Sequence, residues 1–83
     1  MVRDEAVGVV RDAVALVCQV EPATLTPDTR FDGLGADSLA RVSIADVVES
    51  SFADAGQPIA RIDDAILARM TDLGDLVDYL ARR

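Results

Sequence analysis

The sequence predicts an all-α fold, a small antiparallel four-helix bundle with three longer helices, one short helix and a long loop between helices 1 and 2. Three observations carry that expectation. Apolar residues recur at helical spacing in separate segments, and no run alternates as a half-buried strand would. The 83-residue chain is 51% apolar but only 4% aromatic, so its core is made of Ala, Val, Leu and Ile, which suits closely packed helices. Pro22, Pro27 and Pro58 all fall between the periodic segments.

Helix 1 is expected from about Asp4 to Gln19. Val7, Val10, Val14 and Val17 form its apolar stripe, Ala6, Ala13 and Leu16 widen it, and Pro22 ends it. A long connection follows from Glu21 to Asp37, broken by Pro22, Pro27, Gly33 and Gly35. Thr26-Pro27-Asp28 reads as a turn, with Leu25 and Phe31 anchoring the loop to the core. Helix 2 is expected from Ser38 to Asp54. Leu39, Val42, Ala45, Val48 and Phe52 would face inward, while Arg41, Asp46, Glu49 and Ser50 would face solvent. Gly56-Gln57-Pro58 stops it. Ile62 to Arg69 gives a short third helix with Asp63 and Asp64 in its first turn. Thr71 is the expected cap of the last helix, which turns Leu73, Leu76, Val77 and Leu80 inward and carries Arg82 and Arg83 at its end.

Composition removes several functions. Fifteen acidic and eight basic residues leave a net charge of −7, a surface that repels nucleic-acid phosphates and anionic membranes and favours basic patches on proteins. Histidine and lysine are absent, so no carboxylate has a usual catalytic partner, and the acidic residues, including Asp63-Asp64 and Asp72 with Asp75, read as a solvated face. No metal site is expected, because calcium-loop spacing is missing and one cysteine cannot build a cysteine-based zinc site. That residue, Cys18, reads as a small core side chain. The charged N-terminal residues and the lack of a long apolar run point to a cytoplasmic protein without a membrane segment, and an acidic chain of this size reads most simply as a monomer.

The segment most able to carry function is Leu34-Gly35-Ala36-Asp37-Ser38-Leu39, a glycine-containing loop that delivers a serine to a helix start. Such a serine can be an ordinary N-cap. It can also be a point of attachment, since the amide end of a helix favours a bound phosphate.

Gly35-x-Asp37-Ser38-Leu39 opening a second helix resembles the hallmark of the acyl carrier proteins of fatty-acid and polyketide synthesis. Pro22, the Leu25-Thr26-Pro27-Asp28-Thr29 segment with Phe31, and the segment from Thr71 to Leu80 resemble that family's first loop and last helix, so the likeness spans the chain as one carrier domain, residues 1–83. The resemblance implies that Ser38 is esterified by the 4′-phosphopantetheine arm of coenzyme A, installed by a separate magnesium-dependent phosphopantetheinyl transferase. The arm would carry an acyl or aminoacyl group as a thioester. Asp37 and Leu39 would flank the attachment point, and Arg41, Val42, Asp46 and Glu49 would meet partners such as a loading enzyme, a ketosynthase or an acyltransferase. Val42, Val48, Ile62 and Ile66 would line the space between the second and third helices where cargo can shelter.

The sequence departs from the family's fatty-acid members just after Ser38. Acidic residues usual there are replaced by Ala40, Arg41 and Ser43, although Asp46 and Glu49 remain. A partner surface tuned to an acidic stripe would lose contacts and meet Arg41. That favours a free-standing carrier of polyketide-type specialised metabolism and predicts that Arg41→Glu changes its partners. An aminoacyl or peptidyl carrier in a mixed pathway is the alternative within the class, although Ala36 stands where peptidyl carriers more often have glycine. Outside the class, the alternative is a non-catalytic acidic interaction module.

Overall fold

In a computed structural model, which describes residues 2–82, the chain folds as the expected small all-α bundle. Four α-helices follow in order among the described residues: α1 (Arg3–Cys18), α2 (Ser38–Asp54), α3 (Asp64–Arg69) and α4 (Leu73–Ala81). Short 3₁₀ turns at Pro22–Thr24 and Asp32–Leu34 divide the long loop. The expected range for Arg83 lies outside the described residues.

The stripe of α1 buries Ala6, Val10, Ala13 and Val14 against α2 and α4, which both pack on this helix. Leu16 does not join it. It is 67% exposed, because at about 100° per residue it falls on the flank, roughly a quarter turn from the centre of the buried stripe. The helix ends on Gln19 in the left-handed region, three residues before Pro22, with the Val20 N–H closing onto the Ala15 carbonyl at 3.2 Å.

In α2 the buried stripe is Ile44, Ala45, Val48 and Phe52, with Val42 half-buried. Leu39, expected inside, is 75% exposed, because at about 100° per residue it falls nearly opposite the stripe of Ile44, Ala45, Val48 and Phe52. The helix closes with a Schellman motif: Gly56, at φ 77°, donates to Ala53, and Gln57 donates to Phe52 at 2.8 Å.

The third helix starts later than expected. Ile62 is buried but lies in extended chain before Asp63, whose side chain caps α3 by accepting the Ala65 N–H at 2.7 Å. Thr71 is likewise not the cap of α4. Asp72 accepts from the Asp75 N–H, and Asp75 returns a bond to the Asp72 N–H, giving a reciprocal capping box. Leu73, Leu76, Val77 and Leu80 are buried as expected.

The long loop is fixed to the start of α4. The Thr29 and Pro27 carbonyls accept the N–H groups of Leu73 (2.9 Å) and Gly74 (2.7 Å), which a helix start cannot satisfy internally. Phe31 donates its N–H to the Thr71 carbonyl and is buried, as is Leu25. This docking sets the point from which the chain rises to Ser38.

Candidate functional site

The site begins in the turn before α2. Gly35 adopts φ 69°, a conformation costly for any residue with a Cβ, and lets the chain double back so that the Ala36 N–H reaches the Phe31 carbonyl at 3.0 Å. Ala36 is buried beside Phe31, so the turn is held from beneath. Asp37 is extended and caps the helix: its Oδ1 accepts the Ala40 N–H at 2.9 Å and its carbonyl accepts the Arg41 N–H at 3.0 Å. The cap is therefore Asp37 and not Ser38, which is the first helical residue.

Ser38 is exposed, and its hydroxyl has no hydrogen-bond partner among the described residues. Ser51, further along the same helix, instead turns its hydroxyl back onto the Val47 carbonyl at 2.9 Å. With the Ala40 amide occupied by Asp37, the amides of Ser38 and Leu39 are the ones left free by helix geometry. Leu39 stands exposed beside the serine.

A cleft of about 120 Å³ opens beside Ser38 between α2 and α3, lined by Ser38, Arg41, Val42, Asp64, Leu67 and Ala68. Of the expected cargo-lining residues, Val42 stands in this wall. Val48 and Ile62 are core residues, and Ile66 (38% exposed) borders a separate open groove with Arg69, Met70, Asp75 and Tyr79. Asp64, Leu67 and Ala68 were not anticipated, although their three- and four-residue spacing marks one face of α3.

Arg41 overturns an expectation. Its side chain is only 12% exposed and folds inward rather than facing solvent. Nη1 donates to the carbonyls of Leu67 (2.9 Å) and Met70 (2.7 Å), with a longer contact to Ala68, and the guanidinium lies 4.6 Å from the centre of the Phe31 ring. Asp32 stands 3.7 Å from Nη2. A long aliphatic stem lets a residue on the helix flank deliver its charge under the neighbouring helix. Glu49 also turns to the protein, accepting the Ile62 N–H at 3.1 Å, whereas Asp46 is exposed.

Cys18 is half-buried, and burial pushes its thiol above the ordinary range, which disfavours the reactive thiolate. No helix among the described residues is long and apolar enough to cross a membrane.

The family model for a phosphopantetheine attachment site matches residues 8–80, from the middle of α1 to the end of α4. The chain belongs to the acyl carrier protein family. It is also 29% identical over 82 residues to an acyl carrier protein from Thermotoga maritima, covering 98% of this chain and 94% of that one. The cofactor of this carrier is accordingly 4′-phosphopantetheine. An exposed, unpartnered hydroxyl at a helix start with free amides suits a phosphodiester, which needs an accessible oxygen and gains from the positive helix end. A carrier domain presents a group to partner enzymes, a transferase and synthase components among them.

Proposed function

We propose that Ser38 is the attachment residue and that the carrier delivers an acyl intermediate within polyketide-type specialised metabolism. The observation that supports the site is the free, exposed hydroxyl of Ser38 on a turn held rigid by Gly35, Ala36 and the Asp37 cap. On the transferase, the serine oxygen would bond to the phosphorus bearing pantetheine, the pyrophosphate bridge would break, and the adenosine bisphosphate half of coenzyme A would leave. The hydroxyl proton passes to the transferase. When bound, the arm supplies a terminal thiol that holds acyl groups as thioesters.

Partner recognition falls to Leu39 and Asp46, which are exposed on α2. The weak acidity of the first two turns, with Ala40 and Ser43 where fatty-acid carriers are acidic, supports the specialised pathway. The inward fold of Arg41 removes a like-charge barrier from that reading. An exposed leucine suits a partner that docks through an apolar pocket, and exposed Asp46 suits a basic rim on it.

The test is intact-protein mass after incubating the purified chain with coenzyme A, magnesium and a broad-specificity phosphopantetheinyl transferase. One phosphopantetheine should be gained by the parent and none by Ser38→Ala. A folded parent that gains nothing across several transferases would sink the reading.

A further inference from the structure

Ser38 lies between two residues that touch each other. Phe31 precedes it in the loop, Arg41 follows it in α2, and the Arg41 guanidinium rests 4.6 Å from the centre of the Phe31 ring. Between Phe31 and Ser38 the chain passes through Gly35 at φ 69°, where a Cβ would meet nothing within 4 Å. Gly35 is thus a pivot in open space. The contact between Arg41 and Phe31 fastens the two sides of that pivot together, and Ser38 rides on the segment it closes.

A third segment completes the circuit. Arg41 Nη1 donates to the Leu67 and Met70 carbonyls at 2.9 and 2.7 Å, and the carbonyl of the next residue, Thr71, accepts the Phe31 N–H at 3.1 Å. Arg41, Phe31 and Met70-Thr71 are therefore joined pairwise. A guanidinium suits this place, because its planar face can lie on a ring while its edge donates to carbonyls. Asp32 adds little at 3.7 Å, since its side chain is 79% exposed.

We infer that Arg41 is a positioning residue for the transfer of phosphopantetheine to Ser38: it locks the loop before the serine, the first turn of α2 and the end of α3 into one body. This rests on Ser38 being the attachment residue. In the transfer, the Ser38 oxygen bonds to the phosphorus bearing pantetheine, the pyrophosphate bridge breaks, adenosine bisphosphate leaves and the transferase takes the hydroxyl proton. Arg41 stays out of that chemistry, because its charged end is turned under α3 and its side chain is only 12% exposed. It acts through the turn. Without it two of the three joins open, and the bonds from Phe31 to Thr71 and from Ala36 to Phe31 are left to hold the turn. Docking through Leu39 and Asp46 survives, while the hydroxyl wanders from the phosphorus. A displacement of about 1 Å can slow an oriented reaction by up to about 100-fold.

The experiment follows single-turnover transfer from coenzyme A to the full chain, with magnesium and a broad-specificity phosphopantetheinyl transferase in excess. It yields the maximal rate and the transferase concentration that half-saturates it. Arg41→Met should lower the maximal rate by about tenfold and leave half-saturation within about twofold of the parent. Leu80→Ala, a core truncation near the end of α4, should lower stability but keep both values near the parent's at a temperature where it is folded. In the parent, the Arg41 guanidinium protons should exchange with water about tenfold or more slowly than those of Arg61, whose side chain is 75% exposed. A folded Arg41→Met with the parent's maximal rate overturns the inference. So does one in which half-saturation alone worsens, since Arg41 would then be a contact of the transferase. An equal loss of rate in Leu80→Ala also overturns it, because general loosening would suffice. Exchange at Arg41 as fast as at Arg61 refutes it with no variant needed. Failure of the parent to gain the arm would instead count against the attachment reading.

Discussion

At the scale of single residues, the start of α2 separates two roles that sit side by side. Asp37 makes the cap and Ser38 offers the free hydroxyl. Asp37→Ala should therefore cost about 1 kcal/mol in a urea melt, the usual value of an N-cap side chain. Ser38→Ala should change stability by less than about 0.5 kcal/mol, because alanine is a good first-turn residue and no cap is lost. Finding the larger loss at Ser38 would mean that the cap had been misassigned. Arg41→Glu belongs to a different class from a surface charge reversal. It would set a carboxylate near Asp32 and Asp64, remove the contact with Phe31 and leave the α3 carbonyls without their donor, at about 2 kcal/mol or more. A shift in partner choice with undiminished stability would contradict that account.

At the scale of elements, two backbone positions make opposite predictions. Gln19 is a non-glycine residue at φ 57° at the end of α1, so Gln19→Gly should stabilise the fold by about 0.5–1 kcal/mol, seen as a higher midpoint in thermal unfolding. Gly74 faces the reverse situation. A Cβ there would lie 3.0 Å from the Pro27 carbonyl oxygen and 3.2 Å from an Asp72 oxygen, where the loop docks on α4. Gly74→Ala should destabilise by about 1–2 kcal/mol and loosen the loop that positions Ser38, read as faster amide exchange at Thr29 and Phe31. The same elements show what a sequence can convey. Helical periodicity located all four helices and the buried stripes of α1 and α4, because a repeating apolar face has one arrangement that hides it. Caps were harder. In Asp37-Ser38 and Thr71-Asp72 two capping residue types stand together, and only backbone geometry decides that the aspartate is outside the helix. Leu16 and Leu39 match an apolar stripe in type but lie off its buried face. Arg41 was invisible for another reason: periodicity reads polarity, and a guanidinium on a long stem can be polar and still be spent inside the bundle.

At the scale of the whole molecule, a net charge of −7 is spread over a core in which no polar or charged residue among those described is fully buried. Apart from Arg41, which turns its charge inward, charge acts at the surface. Arg3, at the start of α1, donates to the Asp78 carboxylate on α4 and links the two helices that share the core. The hydrogen bond from Arg3, with smaller help from the charges of Arg3 and Arg82, holds the Asp78 carboxyl below the usual carboxylate range against a slight opposing effect of burial. A carboxyl whose folded pKa is depressed contributes stability that is present above its unfolded pKa and disappears as pH falls through the folded one. Both groups are well exposed, so solvent and salt keep the contribution small. Unfolding midpoints of the parent and Arg3→Ala, measured from neutral to acid pH at low ionic strength, should differ most near neutrality and converge in acid, once Asp78 is protonated in both states. Added salt should narrow the gap at neutral pH. Curves that stay parallel down to the lowest pH would show that the pair holds nothing together, and the junction of α1 and α4 would then rest on apolar packing, with Val10, Val14, Leu76, Val77 and Leu80 in the shared core.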